Sequence, residues 1–196
     1  MADYFCDFCG AHAEVDDECL HLDASRPDAY RQVVEMQPYT AACGRCGAPV
    51  VVPRPTLYTD RERGFAVRMR PSGFRSPLYT GPLDYTLRET PFLLEFREKV
   101  MLLSNGFDDV TVELLKRKTV EANPKEDFVD IVCMGVQKDH LQMRGIRTDR
   151  NSIPFNTPLE LYESVLAAKP EGLDPEGFAQ VDQDWLLDRL ENLQEK

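Results

Sequence analysis

The sequence predicts an α+β fold in which short N-terminal hairpins continue into an antiparallel sheet packed with several helices. Three observations support this prediction. A Cys-x-x-Cys-Gly motif occurs twice within the first 50 residues, apolar residues alternate with period two between about residues 49 and 89, and apolar stripes at helical spacing follow from residue 90. The chain has 196 residues, enough for one compact domain or for a domain with an appended module.

The repeated motif lies at residues 6–10 and 43–47. Glycine after the second cysteine supplies the positive backbone dihedral that such a turn commonly needs. Two motifs together provide four thiolates, which complete a tetrahedral structural zinc site and leave no open position for chemistry. The sequence therefore predicts one structural Zn²⁺ ion, with Cys6, Cys9, Cys43 and Cys46 as its ligands.

Strand-like sequence flanks the second motif, at residues 38–42 and 49–52. This arrangement places the motif at the tip of a hairpin, as in zinc ribbons. The alternative is a dithiol redox pair, which usually opens a helix after a buried strand. Because each motif ends in glycine and continues into strand-like sequence, zinc binding is the favoured interpretation, and thiol redox chemistry is the weaker alternative.

The remaining cysteines and nearby histidines are expected to lie outside the metal site. Cys133 belongs to an apolar run at residues 128–134, where a free thiol packs as a small hydrophobe. Cys19 has no partner at ligand spacing. Because four cysteines already complete the site, His12 and His21 are predicted to be ordinary loop residues.

A short helix is predicted between the motifs, at residues 25–36, since a capping serine precedes a partly apolar face. Strands of the antiparallel sheet are predicted at residues 50–52, 65–70 and 84–88. In the second of these, Phe65, Val67 and Met69 would point to one side, which is the pattern of a half-buried strand.

The second half of the chain is predicted to contain four helices and a hairpin, each marked by capping, apolar spacing or turn residues. The helices are expected at residues 90–105, 108–118, 157–169 and 182–193, and the hairpin at 128–147. This organisation suggests a zinc-binding domain over residues 1–125. Residues 126–196 would then form a C-terminal α+β extension, a hairpin with two helices, packed on the first domain.

The formal net charge is −11, and most of the acidic excess lies after residue 90. An acidic chain has little long-range attraction for nucleic acid, whose binding depends on neutralising phosphates. One basic stretch opposes this trend and leaves nucleic-acid binding through the ribbon as an alternative. Its members are Arg54, Arg61, Arg63, Arg68, Arg70 and Arg75.

The N-terminus has no basic and apolar leader, and no apolar run approaches the ~20 residues needed to cross a bilayer. We therefore expect a soluble protein of the cytoplasm, where a reducing environment keeps thiolates available for metal.

The order of these features resembles the CpXC proteins of bacteria, which are named for paired cysteine motifs. The resemblance rests on the two motifs, the segment 55–60 after the second one, and the stretch 87–116. The chain differs at the position after each first cysteine, often proline in such turns, which is Asp7 or Gly44 here. The thiol spacing is unaffected. The resemblance implies a zinc-binding domain and no particular activity.

No P-loop, dinucleotide fingerprint, nucleophile elbow or HExxH motif is present in the sequence. The sequence therefore favours a non-enzymatic binding protein, acting as an adaptor, regulator or inhibitor of a protein partner. The acidic charge suggests that this partner could be basic.

Overall fold

The computed structural model describes residues 2–15, 18–52 and 54–194. The chain forms two compact units, Met1–Val100 and Met101–Lys196. The boundary expected between residues 125 and 126 stays a prediction.

The first unit opens with two small antiparallel hairpins, and each carries one cysteine motif at its tip. A strand and a short helix separate the hairpins along the chain. In order, these elements are β1 (Ala2–Phe5), β2 (His12–Val15), β3 (Leu20–Asp23), α1 (Ala29–Val34), β4 (Thr40–Ala42) and β5 (Pro49–Val51). The hairpins expected from the sequence are thus present, with β1 pairing β2 and β4 pairing β5.

A four-stranded sheet follows, in the order β3-β6-β7-β8, formed with β6 (Thr56–Asp60), β7 (Phe65–Met69) and β8 (Thr86–Thr90). Its central strands β6 and β7 are antiparallel, but β6 was not predicted, and the strand expected at residues 50–52 pairs with β4 in the second hairpin and does not join this sheet. The two outer strands are parallel to their neighbours, β3 to β6 and β8 to β7, so the sheet is mixed. The α+β class is confirmed.

Aromatic side chains fill the core of this first unit. The ring of Tyr58 stacks on Phe65 with a centroid distance of 5.9 Å, and Tyr39 meets Phe96 edge to face at 6.3 Å. All four residues are buried. Such rings remove large apolar areas from water, so they supply much of the stabilisation of this unit.

Helix α2 (Leu93–Ser104) and helix α3 (Asp109–Ala122) follow, close to the positions that the sequence predicts. Gly106 ends the first of them with a φ of +77°, a conformation that glycine adopts without strain. The side chain of Asp108 accepts hydrogen bonds from the amides of Val110 and Thr111 and so caps α3.

The second unit contains an antiparallel sheet of three strands in the order β11-β10-β9, and two further helices. They are β9 (Phe128–Val136), β10 (His140–Arg147), β11 (Ser152–Pro158), α4 (Leu159–Ala167) and α5 (Gln183–Gln194). The hairpin and both helices are confirmed, whereas β11 was not predicted. Helix α3 packs against α4 and α5. None of the helices in the described part of the chain has the length and apolar character required to span a membrane.

Candidate metal centre

Each cysteine motif forms the same turn between two strands. In the first turn, the amide of Gly10 donates to the carbonyl of Cys6 at 2.8 Å, and the amide of Cys6 donates to the carbonyl of Ala11 at 2.9 Å. The second turn repeats both bonds, from Gly47 to Cys43 and from Cys43 to Ala48, each at 2.8 Å. The two motifs are therefore equivalent in backbone structure as well as in sequence.

The glycine in each turn has a positive φ, +65° at Gly10 and +73° at Gly47. An L-residue with a side chain rarely adopts this conformation, because its Cβ would crowd the backbone. The Cys-x-x-Cys-Gly pattern thus encodes the turn that brings two sulfurs to the same side.

The turns bring the Sγ atoms of Cys6, Cys9, Cys43 and Cys46 within 4.8 Å of one another. The Sγ of Cys6 lies 3.7 Å from that of Cys46, and the Sγ of Cys9 lies 3.8 Å from that of Cys43. Both contacts join one motif to the other. Zn–S bonds of about 2.3 Å in a tetrahedron place sulfurs about 3.8 Å apart, so this donor set fits a tetrahedral metal ion.

The cluster is partly shielded from solvent. Cys6 and Cys43 are buried, and they pack with Val50 and Val52 in a small apolar cluster. Cys46 is exposed, and all four thiols are free rather than joined in disulfides. A metal ion could therefore reach the sulfurs from the Cys46 side, while apolar side chains cover Cys6 and Cys43.

The surroundings of Cys43 and Cys9 shift the pKa values of these two thiols in opposite directions. The backbone amide of Cys46, then that of Arg45, lowers the pKa of Cys43 to about 6, which favours the thiolate form of this sulfur. The amide of Ala11 favours ionisation of Cys9, but burial and the neighbouring sulfurs outweigh it and raise the pKa of Cys9 to about 12. Four thiolates this close together repel one another unless a cation lies among them.

The other candidates lie elsewhere. Cys133 is buried on β9, as expected of a core thiol, and Cys19 is half-buried just before β3. His12 and His21 were predicted in loops, but they lie on strands β2 and β3. These strands have only four residues each and lack a clear alternating pattern, so the sequence did not predict them. Within the described ranges, the four cysteines form the one group of three or more Cys, His, Asp or Glu residues close enough to share a metal ion.

The arginine stretch is largely paired with carboxylates. Arg68 and Arg70 both form ion pairs with Glu89, the second at 3.3 Å. Arg63 pairs with the buried carboxylate of Asp60 at 3.3 Å. A nucleic-acid phosphate would have to compete with these internal partners, and nucleic-acid binding stays an alternative prediction.

Among three comparisons with known proteins, the one with protein families gave a match, and this match includes both cysteine motifs. Searches of curated proteins and of solved structures found no match. The family model described as CpXC protein matches residues 5–116, which is more than half of the chain. The matched region includes both cysteine turns, the mixed sheet, α2 and part of α3. The chain therefore belongs to the CpXC protein family.

Proposed function

We propose that the chain is a zinc-stabilised, non-enzymatic binding protein of the cytoplasm, which acts as an adaptor, regulator or inhibitor of a protein partner. The observation that carries the zinc assignment is the set of four sulfurs, within 4.8 Å of one another and contributed equally by two equivalent turns. Thiolate ligands in a tetrahedral arrangement favour zinc, and four protein ligands leave no position for a substrate. The metal would supply a structural cross-link between the hairpins.

Elemental mass spectrometry on protein purified without a histidine tag or chelator tests the metal. We expect one zinc per chain and protection of Cys6, Cys9, Cys43 and Cys46 from alkylation. Cys19 serves as an internal control, because it is half-buried and outside the cluster. Metal-free protein with four reactive thiols would contradict the proposal and move thiol redox chemistry to first place.

A binding role is supported by the surface between Leu159 and Gln194. Its two basic side chains are half-buried, and one of them, Lys169, is already bonded to Asp108 and Asp174 at 2.5 Å each. The exposed ionisable side chains of this segment are therefore carboxylates, which favour a basic partner and raise its association rate. They are Glu160, Glu163, Glu171, Asp174, Glu176, Asp184, Asp188 and Glu191, of which Asp174 is paired with Lys169.

The partner is tested by capture from the native host at low and high salt. We expect a basic protein that binds at low salt, is released at high salt, and is lost with the variant D184N/D188N/E191Q. The control variant E35Q/E62Q/D84N removes the same charge from exposed acids of the other unit and is expected to retain the partner. Capture of a non-basic partner, insensitive to salt and to the first variant, would contradict a charge-directed interaction.

A further inference from the structure

A cavity of about 600 Å³ lies within the unit Met1–Val100, among residues that the metal centre does not use. It is next to the edge strand β3 and its neighbour β6, which contribute the buried apolar side chains of Leu22 and Leu57. The rings of Tyr79 and Tyr85 line it from the β7–β8 connection. Small-molecule sites typically combine this size with aromatic and aliphatic walls and a few polar groups.

The connection between β7 and β8 spans residues 70–85 and contains no helix or strand. Loops longer than about 12–15 residues without regular structure are uncommon in compact domains and are often functional. The hydroxyl of Tyr79 donates to the carbonyl of Pro82 at 2.9 Å, and that of Tyr85 donates to the carbonyl of Arg61 at 3.3 Å. These bonds position both rings at the cavity in advance of any ligand.

Gly81 is required for the position of the Tyr79 ring. A Cβ at Gly81 would lie 2.5 Å from the Tyr79 hydroxyl oxygen, closer than side chains approach in folded proteins. Any other residue at this position would displace the ring from its place in the cavity wall. Glycine at position 81 thus allows the Tyr79 ring to form part of the cavity wall.

The charged residues of the cavity leave a local positive excess. The guanidinium groups of Arg26 and Arg61 line it together with one carboxylate, that of Asp23. Nε of Arg61 is 4.0 Å from Oδ2 of Asp23, and the amide of Ser25 donates to Oδ1 of Asp23 at 2.9 Å. One carboxylate cannot neutralise two guanidinium groups, so a net positive charge remains in a chain whose total is −11.

We propose that this cavity binds a small aromatic carboxylate. The aromatic body of the ligand packs against the tyrosine rings and the leucine side chains, and its carboxylate pairs with Arg26 and Arg61. Arginine suits this role because its planar group can bind a carboxylate through two parallel hydrogen bonds. The proposal does not depend on which metal, if any, occupies the cysteine cluster.

Nitrogen-15 NMR on the full-length protein tests the proposal, with 2-naphthoate as the probe and 2-naphthamide as its neutral counterpart. We expect saturable amide shifts grouped at residues 20–26, 57–61 and 78–85, and at least about tenfold weaker binding of the amide, since a charged hydrogen bond is worth more than 1.4 kcal/mol. No shifts at millimolar 2-naphthoate, or equal binding of both compounds, would overturn the proposal.

Two variants test the residues, and a third controls for charge. R26Q and R61Q alter exposed side chains, so each folds and is expected to weaken 2-naphthoate binding about tenfold. R75Q removes the same charge from an exposed arginine of the same connection that does not line the cavity, and it is expected to bind as the wild type does. Equal weakening by R75Q would show non-specific attraction and would refute the site.

G81A tests the apolar part of the site separately. Displacement of the Tyr79 ring is expected to weaken 2-naphthoate and 2-naphthamide by the same factor, because both share the aromatic body. If G81A left the affinity of both compounds unchanged, the Tyr79 ring would not be part of the binding site.

Discussion

The hydroxyl of Tyr39 donates a hydrogen bond of 3.1 Å to Oγ1 of Thr56, and both residues are fully buried. Tyr39 immediately precedes β4, while Thr56 is the first residue of β6. The carbonyl of Tyr39 also accepts from the amide of Val52, just after β5, at 2.7 Å. Tyr39 therefore joins the two ends of the second cysteine hairpin through its carbonyl, and it connects the hairpin to the mixed sheet through its hydroxyl.

Replacement of Tyr39 by Phe is expected to lower the free energy of unfolding by about 1 kcal/mol, because Thr56 loses a buried partner. Urea denaturation followed by circular dichroism measures this change. The double-mutant cycle of Y39F with T56V isolates the bond, since Thr56 also donates to the carbonyl of Arg54. A coupling energy near zero would show that the contact contributes nothing.

Replacement of Gly47 by Ala is expected to lower the free energy of unfolding by about 1 kcal/mol, because alanine is strained at a φ of +73°. Gly44, in the same turn, is the matched control. A Cβ meets no atom within 4 Å at either position, and Gly44 does not have a positive φ. G44A should therefore cost less than G47A in thermal denaturation, and equal costs would contradict the conformational explanation.

Replacement of Cys43 by Ser is expected to abolish stoichiometric zinc and to destabilise the N-terminal hairpins. Metal-binding free energy in structural sites, on the order of 10 kcal/mol, is also folding free energy. Elemental mass spectrometry and amide hydrogen exchange measure the two effects, and C19S provides a control outside the cluster. A folded C43S variant with normal exchange protection would show that the unit does not need the metal.

Replacement of Lys116 by Met is expected to cost about 3 kcal/mol or more, since it removes the ammonium group that is paired with the buried carboxylate of Glu113. The two side chains are nearly inaccessible to solvent and lie 2.9 Å apart. Fluorescence of Trp185, the single tryptophan, reports urea denaturation of this unit.

The same helix supplies the control for this prediction. Arg117 pairs with Glu121 at 2.9 Å on the exposed face of α3, so R117M should change stability by less than about 0.5 kcal/mol. The double variant E113Q/K116M is expected to recover much of the loss, because both charges of the pair are removed together. Similar costs for K116M and R117M would mean that burial does not set the strength of these pairs.

The carboxyl of Asp23 is expected to titrate below its ordinary pKa of 3.8, and S25A should raise this pKa towards that value. The hydrogen bonds from Ser25 are the main cause of the lowered pKa, and Arg61 and Arg26 add to it. Because the pKa is lowered on folding, the contribution of Asp23 to stability is complete above pH 3.8 and is lost as the pH falls through the lowered value.

Carbon-13 NMR of the Asp23 carboxyl group measures this titration directly. S72A, at an exposed serine of the β7–β8 connection, is the control and should leave the midpoint unchanged. A midpoint in the wild type at or above 3.8 would contradict the role of Ser25.

Local patterns in the sequence predicted most of the elements. Capping residues, helical spacing and the Asn105-Gly106 stop predicted α2 and the start of α3, because these signals act within a few residues. The end of α3 was misplaced. The helix was expected to end at residue 118, whereas it continues to Ala122, and Lys116 is buried against Glu113.

The missed strands depend on partners that are distant in the sequence or on an unusual composition. β3 has four residues and gains its hydrogen bonds from the parallel strand β6, more than thirty residues later. β11 alternates exposed residues with the less exposed Ile153, Phe155 and Thr157, but it contains Pro154 and Pro158, which argue against a strand except at the edge of a sheet, where β11 lies. The proximity of the four thiols followed from spacing alone, whereas the cavity depends on a long connection whose path no local pattern specifies.

The contact between Cys9 and Cys43 joins residues that are 34 positions apart. A metal ion held there would close a loop of the unfolded chain, as a disulfide does. For a loop of this length, the lost chain entropy corresponds to about 4 kcal/mol at 25 °C. Both β3 and α1 lie inside the loop. Metal binding would therefore reduce the conformational entropy that these two segments have in the unfolded chain, although they supply none of the metal ligands.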